Sequence, residues 1–243
     1  MSVSVVVLAA GKGTRMKSDL PKVLHKVLGK SLLAHSLDAL SFVNNQYVVV
    51  GHESDKVVNS LPPTTKHILQ KDQLGTGHAV STVINSDLFI ENKSELTLVV
   101  PGDVPAIDSK DIEFLISEVK TKSSSVGFLT SIIENPYGYG RVIRNNEEIR
   151  IVEEKDCNDD ERKINEINSG IYCFNTDFLI KNIDSLDTKN VQGEFYLTDL
   201  IGIANNQKQD IVIVQVDENS IKGINSMSQL NEVEDIMQKK LIE

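Results

Sequence analysis

The basic side chains Lys12, Arg15 and Lys22 fall within eleven residues, directly beside Gly11 and around Gly13. Glycines at such a turn leave backbone N–H groups open to an anion, and the cations supply charge, so this stretch could hold phosphate. The same pattern also describes an ordinary solvated basic turn. It is neither of the two common phosphate motifs. A dinucleotide fingerprint needs a third glycine where Met16 stands, and the Walker pattern needs an earlier glycine that Val6 to Ala10 do not offer. A second group capable of chemistry is Asp103, set in Pro101-Gly102-Asp103-Val104-Pro105 directly after an apolar run. An aspartate there can share a divalent cation with a phosphate ligand or cap the turn between two prolines. No Ser/His/Asp or Cys/His constellation accompanies these residues, so nucleophilic catalysis by a side chain has no candidate.

The elements that must position these residues follow from hydropathy. Val3 to Ala9 is a short β-branched run, read as a buried strand that ends at the glycine loop. Leu33, Leu37 and Leu40 then recur at helical spacing, followed by a strand over Tyr47 to Val50, a helix over Ser54 to Leu61, and a strand over His67 to Leu69. A helix over Gly77 to Ile84 and a strand over Leu96 to Val100 complete an alternation that predicts a mostly parallel sheet with helices on both faces. Open α/β sheets bind ligands beyond the carboxyl ends of their strands, which is where the glycine loop and Asp103 both fall. After a helix over Ser109 to Lys120 the pattern turns strand-rich: Ser125 to Ile133, Gly140 to Arg144, Ile149 to Glu153 and Ser169 to Phe174. These four are expected to form a small antiparallel appendage on the same domain. Helices over Thr176 to Ile183 and Leu197 to Asn205 and a strand over Ile211 to Val216 follow. The last segment, Met227 to Glu243, is an amphipathic helix with Leu230, Val233, Met237 and Leu241 on one face.

Composition narrows the function classes. With 243 residues, 40% of them apolar and 25% charged, the chain has ample material for a core. Its net charge of -10 argues against a nucleic-acid coat, although it leaves room for a local basic pocket. Cys157 and Cys173 suggest neither a zinc cluster nor a disulfide framework, and a reducing, cytoplasmic setting is expected. No stretch approaches the ~20 apolar residues of a membrane span, so no membrane partner is expected.

Taken in order, the blocks along the chain resemble the sugar-1-phosphate nucleotidyltransferases. The run Leu8 to Met16 with Ser18-Asp19-Leu20-Pro21-Lys22 carries the resemblance, and so do Gln70, Gln73-Leu74-Gly75-Thr76-Gly77-His78-Ala79 and Gly102-Asp103. It continues through Gly138-Tyr139-Gly140-Arg141, Val152-Glu153, Asn168-Ser169-Gly170, Gly193 to Asp199 and Gly223-Ile224-Asn225. Within that superfamily the chain is similar to the uridylyltransferase domain of the bifunctional bacterial enzyme that makes UDP-N-acetylglucosamine. The resemblance implies a Rossmann-like nucleotide-diphospho-sugar transferase fold of α/β class. It also implies a nucleotidyltransferase domain over residues 1–226 and a connector helix over 227–243, the acetyltransferase β-helix of the bifunctional relatives being absent.

It further implies transfer of a uridylyl group from UTP to N-acetylglucosamine 1-phosphate, with Mg2+ as cofactor. Arg15 and Lys22 are implied as the phosphate clamp, and Asp103 and Asn225 as metal-holding residues. Leu8, Ala9, Ala10 and Gly11 would lie along the base and ribose, while Gln70, Gly75 and Thr76 would read the uracil, with Gln73 and Gly102 as further substrate-binding positions. On the sugar side the implied positions are Gly140, Glu153 and Asn168, closed by Tyr196 and Thr198. A homo-oligomer is compatible with the resemblance. Two positions depart from it: Pro101 stands where relatives carry a tyrosine or another larger residue, and Ser226-Met227 replaces a second asparagine and an arginine. Two alternatives stay open, a uridylyltransferase for glucose 1-phosphate or another hexose 1-phosphate, and a catalytically silent UDP-sugar-binding protein.

Overall fold

The valines of Val3–Ala9 (β1) are buried on both faces, since Val5, Val6 and Val7 are all fully buried. A strand with no exposed face must lie inside a sheet covered on both sides. β1 does so in the computed structural model, which describes residues 2–145 and 148–240. Short strands Lys26–Val27 (β2) and Lys30–Ser31 (β3) form a separate hairpin, and Asn45–Val50 (β4), Lys66–Leu69 (β5) and Leu96–Pro101 (β6) continue the main sheet. Val126–Ile132 (β7), Arg141–Asn145 (β8), Glu148–Val152 (β9), Glu166–Asn175 (β10) and Ile211–Gln215 (β11) complete it to nine strands. The order is β11-β7-β10-β6-β1-β4-β5, with β1 parallel to both β4 and β6.

Alternate residues of β1 point to opposite faces and meet different helices. Val5 and Val7 share a core with Leu33 and Leu37 of Leu32–Ala39 (α1), Val57 of Ser54–Val58 (α2), and Ile112 and Leu115 of Ser109–Thr121 (α5). Val6 shares the opposite core with Val80 of Thr76–Ile84 (α3) and Phe89 of Asp87–Ile90 (α4). Phe178 of Thr176–Asn182 (α6) and Leu200 of Asp199–Asn206 (α7) belong to that second core. Met227–Lys240 (α8) packs apart from both, Leu230 and Val233 meeting Met16, Val27, Leu32 and Ile224. Leu241 of the expected apolar face lies outside the described residues. No helix among the described residues is long and apolar enough to cross a membrane.

Of the four strands expected as an appendage, β7 and β10 instead enter the main sheet. The physical reason is burial: nearly every residue of both strands is shielded, and only an interior strand can be shielded on both faces. The appendage is the hairpin β8–β9, whose outer half is exposed. Strand β10 runs antiparallel to β6 with Tyr172 opposite Val99. Continued past the hydrogen-bonded stretch, that register brings Gly170 to Pro101, and a Cβ on Gly170 would lie 3.1 Å from the Pro101 ring. The beginning of β10 therefore reaches the same sheet edge as the ends of β1 and β6.

Candidate active site

A cavity of about 800 Å³ opens at that edge. Its floor is the end of β1 and the loop after it, where Leu8, Ala9, Ala10, Gly11, Lys12 and Gly13 all line it. Gly13 is left-handed with φ 59°, and a Cβ there would come within 2.6 Å of the Lys22 Cβ. Glycine thus lets the loop close on the stem of Lys22. The chain then turns through Thr14 to Met16, and Met16 is buried against α8, which fixes the base of Arg15.

Four residues named from the sequence converge beside this loop. Lys22 Nζ is ion-paired with Asp103 and donates to Asn225 Oδ1 at 3.0 Å. Arg15 donates to the same oxygen at 2.8 Å. The Ile224 amide donates to the Asp103 carbonyl at 3.0 Å, tying the two loops together. Gln229 at the start of α8 accepts the Asn225 amide at 2.8 Å, while its own amide donates to Ser226 Oγ at 3.2 Å. This is close to a capping box, and it makes α8 the support of Asn225. Asp103 and Asn225 offer one carboxylate and one amide oxygen to a shared cation, here the lysine ammonium. That donor set suits Mg2+, which takes one or two protein oxygens and shares the remainder with phosphate and water. Among the described residues no group of three or more His, Cys, Asp and Glu could hold a metal by protein ligands alone.

At the other end of the loop, Gln70 is 3% exposed and donates from Nε2 to the Gly75 carbonyl at 3.2 Å. Gln73 donates to the Gln70 carbonyl at 3.0 Å and crosses close to Gly51, which has no room for a Cβ beside Ala10. Gly75 has φ 110°, and a Cβ on it would lie 2.5 Å from the Phe195 carbonyl. The turn is stitched to residues 195–197 by Phe195 N to Leu74 O, Gly77 N to Phe195 O and Leu197 N to Thr76 Oγ1, at 2.8, 2.8 and 3.1 Å. We expect Gly75→Ala to lower stability by about 2–4 kcal/mol, since backbone strain and a backbone clash add at one position. Thermal melting should show a drop of roughly 5–15 °C. Gly202→Ala in α7, where a Cβ meets open space, should instead be neutral or stabilising by up to about 1 kcal/mol. Equal melting temperatures for the two variants would refute this reading of the turn.

The opposite wall is built from β10 and the β9 end. Asn168 donates to the Tyr172 hydroxyl at 2.6 Å, and its backbone amide donates to the Gly140 carbonyl at 2.9 Å. Gly140 itself lies behind the wall, where a Cβ would be 3.2 Å from Ile151 and 3.5 Å from Glu153. Its loop is pinned by Arg141, 2% exposed, which pairs with Glu154 at 2.9 Å while Glu154 accepts Gly138 N at 2.9 Å. Thr198 donates to Glu153 at 3.4 Å. Burial, reinforced by Asp156, Asp199 and Glu194 and opposed by the Thr198 hydroxyl, pushes the Glu153 carboxyl up to about 7. A carboxyl raised in the folded state keeps its proton where the unfolded chain has lost it, so stability falls as pH rises from the ordinary carboxylate range to about 7. Glu153→Gln should flatten that slope, gaining on the parent protein as pH rises, and melting curves across the range would test it. Identical slopes in the two proteins would sink the assignment.

Of the other residues named from the sequence, Arg15, Gly102 and Asn225 stand outside the cavity lining, as do Gly140 and Tyr196. Gly102 packs inward, its amide donating to the Leu8 carbonyl at 2.9 Å. The Tyr196 hydroxyl donates to Asp156 at 3.0 Å and accepts from Gln192 at 2.8 Å, bracing the wall from outside.

The family model for the MobA-like NTP transferase domain matches residues 5–142, more than half of the chain. The chain belongs to this family. As an NTP transferase domain it has close sequence relatives. It is 43% identical over 241 residues to the bifunctional protein GlmU of Fervidobacterium nodosum, covering 99% of this chain and 52% of that one. It is 44% identical over 246 residues to the bifunctional protein GlmU of Lactococcus lactis subsp. lactis, covering 99% and 53%. The chain thus spans about half the length of the curated relatives it matches. Two solved structures share the fold: a UDP-glucose pyrophosphorylase complexed with UDP-glucose, with TM-score 0.78 and 18% identity over 99% of this chain and all of that one, and a CMP:2-keto-3-deoxy-manno-octonic acid synthetase complexed with CTP, with TM-score 0.70 and 19% identity at the same coverage.

In this NTP transferase domain the cavity also takes in Lys71, Asp72, Tyr172 and Glu194, which were not singled out from the sequence. Tyr172 stands four residues after Asn168 on β10, across a shift of register that spacing alone does not show, and its hydroxyl accepts from the Asn168 amide. Lys71, Asp72 and Glu194 sit on turns whose direction depends on contacts between distant segments, and no local pattern marks them.

Proposed function

We propose that the chain transfers a uridylyl group from UTP to N-acetylglucosamine 1-phosphate, releasing pyrophosphate. The observation that carries this reading is the convergence of Arg15, Lys22, Asp103 and Asn225 beside a cavity that has a glycine-loop end and an end lined by Glu153, Asn168, Tyr172 and Thr198. The relatives named GlmU and the NTP transferase family support it. The attacking phosphate oxygen is ionised at neutral pH, so no general base is required, and no triad has to be sought. What the reaction demands is the joining of two polyanions, which asks for fixed cations and oriented amides. In this reading the Gly11–Gly13 loop and Lys12 cradle the triphosphate, and Arg15 and Lys22 grip the phosphates. Gln70, Gly75 and Thr76 receive the base, while Glu153, Asn168 and Thr198 receive the sugar. Asp103 and Asn225 would hold Mg2+, which would neutralise the phosphate oxygens on which charge develops. The segment 227–243 serves as a connector that also braces Asn225 and Met16 through α8.

The test is pyrophosphate release with UTP and magnesium, comparing N-acetylglucosamine 1-phosphate with glucose 1-phosphate. Release with the acetylated sugar is expected. Release with glucose 1-phosphate alone would keep the chemistry but move the acceptor, and would direct attention to Pro101 against Gly170. Binding of UDP-sugar without release from either would replace the enzyme reading by a silent binder.

A further inference from the structure

Gln70 follows β5, and its backbone is anchored by donation to the Val50 carbonyl at 2.8 Å. Its amide nitrogen faces two groups, the Gly75 carbonyl at 3.2 Å and His78 Nδ1 at 3.0 Å. A backbone carbonyl can only accept, so the end of the amide turned toward Gly75 must be the nitrogen. Both of its hydrogens are then engaged, one on Gly75 and one on His78. It follows that His78 Nδ1 is an acceptor and that the imidazole is neutral with its proton on Nε2. The remaining atom, Gln70 Oε1, accepts no hydrogen bond from the described residues and is not sealed off, while Gln70 itself lines the cavity. His78 cannot easily turn away. It lies in the first turn of α3, its carbonyl accepts from Thr82 Oγ1 at 2.8 Å, and its ring faces Phe195 at 6.4 Å between centroids.

We propose that His78 is a positioning residue that sets base selectivity together with the Gly75 carbonyl, holding the Gln70 amide so that it presents an acceptor, and only an acceptor, to the cavity. This rests on the uridylyltransferase reading for the location of the base. A base with a ring N–H at the facing position, such as the imide of uracil, completes the hydrogen bond. Cytosine presents a bare ring nitrogen there and leaves two acceptors opposed. Turning the amide over to suit cytosine would aim Oε1 at both the Gly75 carbonyl and His78 Nδ1. The selectivity thus originates one residue removed from the ligand.

The experiment measures UTP and CTP affinity by calorimetry, without sugar, for the unaltered protein, His78→Phe and His78→Asn. Phenylalanine keeps the ring but removes the acceptor, and the UTP-to-CTP affinity ratio should fall about tenfold, the scale of one hydrogen bond. Asparagine can bring an amide oxygen near the place of Nδ1 and should restore most of the ratio. Side-chain 15N resonances of the unaltered protein should report His78 protonated on Nε2. An undiminished ratio in His78→Phe, failure of His78→Asn to restore a lost one, or a proton on Nδ1 would each overturn the proposal. The tautomer measurement needs no variant, so a misfolded substitution does not protect the idea. Failure of the uridylyltransferase reading is separable, because it would appear as intact nucleotide selectivity without sugar-dependent pyrophosphate release.

Discussion

Asp103→Asn is expected to lower the rate of pyrophosphate release about a thousandfold, equivalent to ~4 kcal/mol of transition-state stabilisation. The substitution keeps size and shape but removes the one carboxylate in the cluster of Arg15, Lys22, Asp103 and Asn225. Without that charge the remaining amide oxygens are poor competitors for a divalent cation against water. The fold should survive, because Asp103 contributes to it through its backbone carbonyl, which accepts from Ile224, and the variant retains that bond. A melting temperature within about 2 °C of the parent is expected for a change confined to a partly exposed side chain. The assay should be run at limiting and at saturating magnesium. A near-parental rate at limiting magnesium would remove Asp103 from the metal site.

Lys22→Ala is expected to lower kcat/KM about a hundredfold, close to the loss on deleting one preorganised donor from a developing charge. Its ammonium rests between Asp103 and Asn225, a position from which a triphosphate can draw it away. The effect should fall on the rate rather than on folding. Removing the lysine frees Asp103 from its ion-pair partner but leaves the aspartate near the surface and beside Arg15's amide partner, Asn225. Because Lys22 and Asp103 touch, the double variant should lose less than the product of the two single losses. Unchanged turnover together with a clearly lower melting temperature would show Lys22 to be a structural residue.

What could be read from the sequence was whatever is local. The loop from Leu8 to Gly13 was legible because a β-branched run, two glycines and the cations Lys12, Arg15 and Lys22 lie within a short stretch, and its position after the first strand is a property of chain order. The parallel alternation through Leu96–Pro101 was legible for the same reason. The places of β7 and β10 were not, since a strand's own residues show that it is a strand but not which neighbour it pairs with. The hairpin β2–β3 carries no local signal either. It turns on Leu28 and Gly29, both with positive φ, and a leucine in that role lacks the Asn-Gly signal by which such turns are recognised. Gln70 reads as a surface residue from its neighbours alone and became a site candidate only through the resemblance. Its burial arises where β5 meets the start of α3, a contact no local window contains. Tyr196 and Gly140, implied as sugar positions, stand outside the cavity lining, where Tyr196 is held by Asp156 and Gly140 packs by Ile151 and Glu153, contacts no local window contains.

The antiparallel course of β10 gives the molecule a division of labour. Everything that would handle the nucleotide and its phosphates, apart from Asn225, lies on segments up to Asp103, inside the stretch 5–142 that the family model matches. The wall that would face the acceptor is built from the end of β9, the start of β10 and the loop before α7, beyond that matched stretch. The two parts meet where Gly170 rests on Pro101 and where the turn at 74–77 bonds to residues 195–197. In the proposed reading such a layout is modular: substitutions in the acceptor wall would change the sugar accepted and leave the phosphate machinery as it is.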